Sequence, residues 1–390
     1  MPELAEVEFA RALLYNKYVL PYVKRSSKFT KRPNIIKVNY ASPYKSLVLV
    51  HDSKEYDEVL LGNHIVDVVR KGKHFWLQMT SGKSVLFHFG MSGYISIEGQ
   101  EDVLGYKSQG NKEMEKSWPP RFMIIELIFD DSSKIAYCDP RLFGRIKLRQ
   151  NPATEEPVSL LGIDPYIDGV DLQTLKVNLK KYKVGIKTLL LDQEKVFCGI
   201  GNWLADEICY QAGIHPSIPC HLINEKGVES LQNAITYVIN TAVAVNVFNK
   251  RKELPSSWLF HHRWSKRDKN VKMEDGSKIT FIVEGGRTTA VVLTRQGLYS
   301  DFRELENSNN KRKKSETNSK VNDKVSDQAN DKAKELENSS NKNKRKKSET
   351  NSRVNDKVSD QANDKANDKA NNKANNNKAN NKKRKAENNL

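Results

Sequence analysis

The sequence predicts an α+β fold with an N-terminal β-sandwich and flanking helices, then a helical domain, a β-hairpin and a disordered tail. Three observations support this prediction. Short runs rich in β-branched and aromatic residues, separated by turn residues, extend from residue 35 to residue 148. Beyond Pro152 the apolar residues recur at helical spacing, until two β-rich runs flank Gly285-Gly286-Arg287. The last 87 residues contain no Phe, Tyr or Trp and cannot form a core.

The N-terminal segment is predicted to be a helix that precedes the sandwich. Pro2 lies at its start, where a missing N–H costs nothing, and Leu4, Val7, Arg11 and Leu14 follow at helical spacing. The runs predicted to be strands are Ser46–His51, His64–Val69, His74–Met79, Ser84–Phe89, Phe122–Phe129, Lys134–Cys138 and Ile146–Leu148.

The second half of the chain is predicted to be helical and to end in a hairpin. The predicted helices are Leu172–Leu179, Gly185–Leu191, Asn202–Ala212 and Glu225–Phe248, and the hairpin strands are Lys278–Glu284 and Thr288–Leu293. We therefore divide the chain into a β domain (1–150), a helical domain (151–255), a hairpin segment (256–303) and a tail (304–390).

Composition excludes several classes of protein. The 65 basic and 48 acidic side chains give a net charge of +17. This excess points weakly towards a polyanionic partner, but charge alone favours a solvated basic surface at least as much. No apolar run is long enough to span a membrane, and the N-terminus does not resemble a signal peptide. The four cysteines include no Cys-x-x-Cys pair, so we expect an intracellular protein without a metal. We also expect the chain to be soluble and monomeric and to need no cofactor.

The tail repeats its own sequence. Glu-Leu-Glu-Asn-Ser occurs at 304–308 and 335–339, and Lys-Arg-Lys-Lys-Ser-Glu-Thr at 311–317 and 344–350. Almost no apolar residue is available for stacking, so the repeats predict disorder and not a solenoid. The basic clusters Lys311–Lys314, Lys344–Lys347 and Lys382–Lys385 are typical of nuclear-import signals or of a loose tether to nucleic acid. A solvated spacer is the alternative.

The N-terminus has a pattern suited to covalent chemistry. If Met1 is removed, Pro2 presents a secondary amine with a pKa of about 8, and a neutral amine forms Schiff bases with sugar aldehydes. Glu3 adjoins this amine and Glu6 lies one helical turn further, so both carboxyls are available as acid/base partners. The alternative is ordinary helix capping by acidic residues.

Five motifs are similar, in the same order, to those of the formamidopyrimidine-DNA glycosylase family. They are Pro-Glu-Leu-Ala-Glu-Val-Glu at 2–8, Arg-Lys-Gly-Lys-His-Phe at 70–75, His-Phe-Gly-Met-Ser-Gly at 88–93, Asp-Pro-Arg-Leu-Phe-Gly at 139–144 and Gly-Ile-Gly-Asn-Trp-Leu-Ala-Asp-Glu at 199–207. The last resembles the helix–two-turn–helix signature of the family. Ala5 stands where the family usually has proline.

This resemblance implies a bifunctional DNA glycosylase and apurinic lyase for oxidised or ring-opened bases. Pro2 would attack C1′, Glu3 would protonate the deoxyribose ring oxygen, and β- and δ-elimination would follow. Glu6 would support the amine or sugar, and Lys73 would be the catalytic lysine. The implied partner is damaged double-stranded DNA.

The hairpin departs from the bacterial pattern, which closes with a four-cysteine zinc finger. No cysteine follows Cys220, and Ile282 to Ala290 resembles the zincless finger of the plant and fungal branch, which keeps its shape through β-pairing alone. Arg287 maps to the arginine of the finger. In the family, this arginine binds a phosphate and assists the second elimination. Leu142 replaces a usual arginine, which leaves opposite-base preference open.

For the remaining motif residues, the resemblance implies a role in DNA binding. Met91, Arg141 and Phe143 are suited to filling the space that an extruded nucleotide vacates. Asn202 opens a helix whose N-terminal amides and dipole would bind phosphate.

Several alternatives remain open. They are an endonuclease VIII-like enzyme for oxidised pyrimidines, a catalytically silent homologue, and a ribosomal or topoisomerase-type module. Leu4 favours the purine branch, whose plant and fungal members imply that ring-opened purines and hydantoins are cut better than 8-oxoguanine.

Overall fold

The computed structural model describes residues 2–23, 31–41, 45–100, 118–247, 253–268 and 270–297. All of these belong to one unit, Met1–Lys313. The tail predicted to be disordered, 304–390, lies outside the described residues. Among the described residues, no helix is both long enough and apolar enough to cross a membrane.

The elements follow the order that the sequence predicts. A first helix and a strand-rich half precede a helical half, and a hairpin follows. The helices are α1 (Leu4–Tyr18), α2 (Leu20–Val23), α3 (Lys45–Val48), α4 (Ser53–Leu60), α5 (Leu172–Lys180), α6 (Ile186–Leu191), α7 (Asn202–Ala212), α8 (Glu225–Val247) and α9 (Leu293–Gln296). The strands are β1 (Ile35–Tyr40), β2 (Ile65–Lys71), β3 (His74–Met79), β4 (Ser84–His88), β5 (Tyr94–Ile97), β6 (Met123–Phe129), β7 (Lys134–Cys138), β8 (Arg145–Arg149), β9 (Ile279–Glu284) and β10 (Arg287–Val292).

The first eight strands form two antiparallel sheets of four strands. Their orders are β1-β6-β7-β5 and β2-β3-β4-β8. Alternate residues of the two sheets meet in one core, which includes Phe75 and Phe87 from one sheet and Leu127 and Tyr137 from the other. The predicted α+β class and the sandwich are therefore confirmed.

Two local predictions need correction. The run Ser46–His51 is not a strand, because Lys45–Val48 is helical and only Leu49 makes an isolated bridge, to Ile146. A short apolar run satisfies a strand and a buried helical turn equally well. Strands β1 and β5 were not anticipated, since β1 is half exposed and β5 is only four residues long.

Helix α1 is shared by both domains. Leu4 and Ala5 at its start pack into the core of the helical domain, whereas Val7 and Leu14 pack into the sandwich. The helix lies against α8 on one side and β2 on the other. This position holds the N-terminus between the two domains, where a site can draw residues from each.

A buried ion-pair cluster ties α1, the β2–β3 turn and the interdomain segment together. Arg70 donates to Glu8 at 2.8 Å and to Asp164 at 2.6 Å, and it also donates to the carbonyl of Gly72 at 2.9 Å. Asp164 accepts in turn from the N–H of Gly72 at 2.7 Å. Both backbone polar groups of Gly72 are therefore held, which fixes the turn that presents Lys73.

The hairpin of β9 and β10 turns through two glycines. Gly285 and Gly286 have φ of +57° and +69°, as a two-residue turn with two left-handed positions requires. Arg287 was predicted within this turn but is the first residue of β10 and pairs with Glu284. The hairpin side chains Ile279, Ala290 and Val292 share an apolar cluster with Leu259, Val271 and Met273 of the preceding segment, so β-pairing is not the only support of the hairpin.

The Arg70 cluster generates a stability prediction. Arg70→Met would leave the carboxylates of Glu8 and Asp164 buried without their cation, which costs about 3–5 kcal/mol. Urea unfolding of the full chain measures this change. Lys134→Met is the matched control, because the Lys134–Glu98 pair is partly exposed and should contribute less than about 1 kcal/mol. Equal losses in the two variants would contradict the assignment.

Candidate active site

The carboxyl of Glu3 is bound by the N-terminus of α7. Its oxygens accept hydrogen bonds from the amides of Gly201 at 2.9 Å, Trp203 at 3.0 Å and Leu204 at 3.1 Å, and the residue is only 2% exposed. A Cβ at Gly201 would overlap this carboxyl, so only glycine fits there. The positive end of the helix dipole adds to the stabilisation of the carboxylate.

This contact corrects one prediction from the sequence. The amides at the start of α7 were expected to bind a phosphate, but three of them are occupied by Glu3. The Asn202 side chain instead donates from Nδ2 to the carbonyl of Thr288 at 3.1 Å, in the hairpin. Asn202 thus connects α7 to the residue that follows Arg287.

Glu3 and Glu6 form a buried pair of carboxyls directly beside Pro2. The Glu3 N–H donates to Oε2 of Glu6 at 2.9 Å, and Pro2 is buried. Burial raises the pKa of Glu3, and the nearby Lys73 and the two amides of Trp203 and Leu204 oppose this shift only in part. Burial, together with the charge of Glu3, raises the pKa of Glu6 to about 7. Raised pKa values suit groups that deliver or store protons near neutral pH.

Lys73, which directly precedes β3 of the sandwich, lies near the carboxyls of Glu3 and Glu6. Its Nζ donates to the carbonyl of Ile200 at 2.8 Å, in the loop that precedes α7. Burial lowers the pKa of Lys73, and the negative charge of Glu3 counteracts that effect. Gly72, with φ of +59°, lets the preceding turn approach Cys198 closely. The structure therefore brings together Pro2, Glu3, Glu6 and Lys73.

The hairpin residue Arg287 lies on the same side of the molecule as Lys73. Arg287 is exposed, and its positive charge contributes to the lowered pKa of Lys73. The strand behind it is anchored, because Lys187 donates to Oγ1 of Thr289 at 2.6 Å and Asn202 holds Thr288. Arg287 therefore projects from a fixed backbone.

Asp206, which received no role from the sequence, holds strand β10 in place. Asp206 accepts from Lys187 at 2.5 Å, from Arg263 at 2.8 Å and from the amide of Ala290 at 3.3 Å. The side chains of Lys187 and Asp206 are fully buried. The signal available in the sequence was an aspartate one turn after Asn202, within the motif at 199–207.

Met91, Arg141 and Phe143 form a second, exposed group. The side chains of Met91 and Phe143 are 38% and 52% exposed, and the Arg141 guanidinium lies 5.2 Å from the Phe143 ring centroid. Asp139 joins the two loops by accepting from Oγ of Ser92 at 2.6 Å and from the amide of Arg141 at 3.2 Å. An exposed apolar pair on fixed loops is not explained by core packing.

His88 is a further residue near the site without an assigned role in the sequence. Its Nδ1 accepts from the amide of Gly90 at 3.2 Å, which fixes the loop that carries Met91. Burial, followed by the nearby positive charge of Lys73, lowers the pKa of His88 to about 4. A neutral ring that accepts at Nδ1 carries its proton on Nε2. His88 thus links the Lys73 group to the Met91 loop.

Comparison with known proteins agrees with this architecture. Residues 1–146 match the model of the formamidopyrimidine-DNA glycosylase N-terminal domain, and residues 161–252 match the model of its H2TH domain. A formamidopyrimidine-DNA glycosylase of Arabidopsis thaliana is 36% identical over 299 residues, which cover 77% of this chain and 72% of the relative. One of Bacillus subtilis is 28% identical, over 74% of this chain and 96% of the relative.

Solved structures support the fold. The Lactococcus lactis formamidopyrimidine-DNA glycosylase, solved with DNA that contains an abasic site, aligns with a TM-score of 0.59 and 22% identity over 76% of this chain and 100% of its own. Both halves of the chain thus correspond to one class of enzyme, the DNA glycosylases with a helix–two-turn–helix domain. Within this class, the chain belongs to the formamidopyrimidine-DNA glycosylase family.

The Glu6 carboxyl generates a prediction about pH. In the folded chain, the Glu6 carboxyl keeps its proton up to a pH of about 7, whereas the ordinary pKa of a glutamate carboxyl is 4.5. Ionisation of Glu6 therefore lowers the free energy of unfolding as the pH rises through this window. Glu6→Gln cannot ionise and keeps an acceptor for the Glu3 amide. Between about pH 5 and about pH 8, the variant should lose less stability than the wild type, by up to about 3 kcal/mol.

Urea unfolding at the two pH values provides this measurement. Glu58→Gln is the control, because it removes an exposed carboxyl from α4 and should leave the pH dependence of the wild type unchanged. If Glu6→Gln followed the wild type across this range, the raised pKa would be wrong.

Proposed function

We propose that the chain is a bifunctional DNA glycosylase and apurinic/apyrimidinic lyase that excises oxidised or ring-opened purines from double-stranded DNA through Pro2. The observation that carries this proposal is the Glu3 carboxyl, held beside Pro2 by three amides of the other domain with its pKa raised. A carboxyl with a raised pKa beside an N-terminal amine supplies the proton donor and the nucleophile that glycosidic-bond cleavage through a Schiff base requires.

The proposed reaction begins once Met1 has been removed. The neutral amine of Pro2 attacks C1′ as Glu3 protonates the ring oxygen. The damaged base departs with the electrons of its bond to C1′ and takes up the proton that the Pro2 nitrogen loses. The bond between C1′ and the protonated ring oxygen then breaks, which gives an iminium ion between Pro2 and C1′. The iminium ion that results acidifies C2′, so loss of a C2′ proton expels the 3′ phosphate, and a second elimination expels the 5′ phosphate. Glu6 supports the amine or the sugar, and Lys73 supplies a cation for the phosphate or base.

DNA binding is assigned to the exposed residues of both domains. Met91, Arg141 and Phe143 would enter the space left by the extruded nucleotide and compensate part of its unstacking cost. Arg287 would contact a phosphate and assist the second elimination, and Asn202 would contribute by fixing the backbone next to it. The Lactococcus lactis relative, solved with abasic-site DNA, supports this choice of partner. We propose that the chain acts as a monomer.

The four segments have separate proposed roles. Residues 1–150 carry the catalytic group, 151–255 position it, and 256–303 form a finger of the plant and fungal zincless type. The 36% identity with the Arabidopsis thaliana relative favours this branch, in which hydantoins and ring-opened purines would be better substrates than 8-oxoguanine. Residues 304–390 would direct the protein to the nucleus through their basic clusters.

Borohydride trapping tests the proposed chemistry. During cleavage of a formamidopyrimidine duplex, borohydride should reduce the iminium ion to a stable protein–DNA adduct, and peptide mapping should place the adduct on residue 2. The yield of adduct should be higher with formamidopyrimidine and hydantoin duplexes than with 8-oxoguanine. An adduct on Lys73 would refute Pro2 as the nucleophile, and preferential trapping with 8-oxoguanine would refute the branch.

A second prediction separates the hairpin from the tail. Arg287 projects from a fixed backbone, and removal of a charge-assisted contact costs about 1.5–3 kcal/mol, so Arg287→Ala should lower nicking about tenfold or more. Truncation after Arg303 should leave nicking near the wild-type rate at moderate salt, because the tail would act only through counterion release.

Lys278→Ala is the matched control, since it removes an exposed cation from the opposite end of the same hairpin and should change nicking little. A chelator should leave all rates unchanged, because the described residues include no group of three or more metal-binding side chains. Loss of nicking on truncation or on chelation would overturn this division of roles.

A further inference from the structure

An exposed tryptophan lies on the segment between α8 and the hairpin. Trp264 is 53% exposed, whereas Trp76, Trp203 and Trp258 are buried. An indole ring with this much exposed surface presents a large apolar and aromatic face at which a flat ligand can bind. Its immediate surroundings are basic, because Lys266 and Arg267 follow it on the same exposed segment.

The indole is held rigidly. The guanidinium carbon of Arg263 lies 4.4 Å from its ring centroid, and Arg263 is itself fixed by Asp206 at 2.8 and 3.1 Å. Phe260 meets Trp264 edge-on, with centroids 5.6 Å apart, and meets Trp203 in the same way at 4.9 Å. Cation–π and edge-to-face contacts of this kind orient the ring before any ligand arrives.

These contacts place Trp264 at the border of the proposed active site. Trp203, at the far end of the aromatic series, donates its amide to Glu3, and Arg263 reaches the carbonyl of Asn202 at 3.5 Å. On the other side, Nζ of Lys266 donates to Oγ1 of Thr288 at 3.1 Å, next to Arg287. The indole therefore lies on a segment that contacts Asn202, next to the amides that bind Glu3, and Thr288, next to Arg287.

We propose that Trp264 provides the surface on which the extruded damaged base stacks. An extruded base loses its neighbours in the duplex, and enzymes that act on it replace them with aromatic side chains. Stacking depends on a π face and not on a particular hydrogen-bonding edge, so it tolerates bases of different shape. Trp264 would thereby admit ring-opened purines and hydantoins alike. This inference rests on the proposed function and adds a residue that determines its substrate range.

Two substrates separate base stacking from every other step. One is a duplex with a formamidopyrimidine, and the other is the same duplex with a preformed abasic site, which has no base to stack. In single-turnover assays, Trp264→Ala should slow base excision about tenfold, as expected from the loss of one stacking contact, and should leave abasic-site cleavage within about twofold of the wild type. Trp264→Phe should keep excision within about threefold of the wild type, because it retains a π face.

Two controls exclude other causes. Trp264→Leu keeps an apolar side chain against Phe260 without a π face, so it should show the same selective loss as Trp264→Ala. Arg267→Ala removes a neighbouring exposed cation and should affect both substrates equally. An equal effect of Trp264→Ala on both substrates, or full excision by Trp264→Leu, would overturn the inference while leaving the proposed function intact. A wild-type chain that cleaves neither duplex would refute the proposed function itself.

Discussion

A buried carboxyl between two domains is stable only if its oxygens are satisfied, and the rest of the site depends on how Glu3 meets this requirement. Three amides at the start of α7 donate hydrogen bonds to its two carboxyl oxygens, and Gly201 leaves room for the Glu3 side chain. Because Glu3 directly precedes α1, which packs into both cores, these hydrogen bonds contribute to the alignment of the two domains. Chain termini usually fray, so this anchoring gives Pro2 a defined position.

The other buried charges follow the same principle. Arg70 is neutralised by Glu8 and Asp164 and holds Gly72, the residue before Lys73. Asp206 is neutralised by Lys187 and Arg263 and holds the strand that begins with Arg287. In each cluster, the requirement to satisfy a buried charge also fixes the backbone next to a site residue. The hairpin thus keeps its place through ion pairs and apolar packing.

Short-range patterns predicted the elements well. The helix Asn202–Ala212 was predicted with its observed bounds, and Gly285-Gly286 identified the hairpin, because periodicity and turn chemistry are local properties. Contacts between residues distant in sequence could not be predicted. The amides that bind Glu3 lie about 200 residues away, and the sequence suggested a phosphate in their place. Asp164 and Asp206 were missed for the same reason, since nothing local identifies their partners.

We propose that Glu3 acts both as the interdomain anchor and as the proton donor that accompanies base departure. Single-turnover rates of Glu3→Gln on a formamidopyrimidine duplex and on a preformed abasic site test this claim most directly. Glutamine keeps one of the two acceptor oxygens for these amides but cannot donate the proton, so base excision should fall by about a hundredfold or more while abasic-site cleavage persists. Base excision at the wild-type rate by Glu3→Gln would contradict the account.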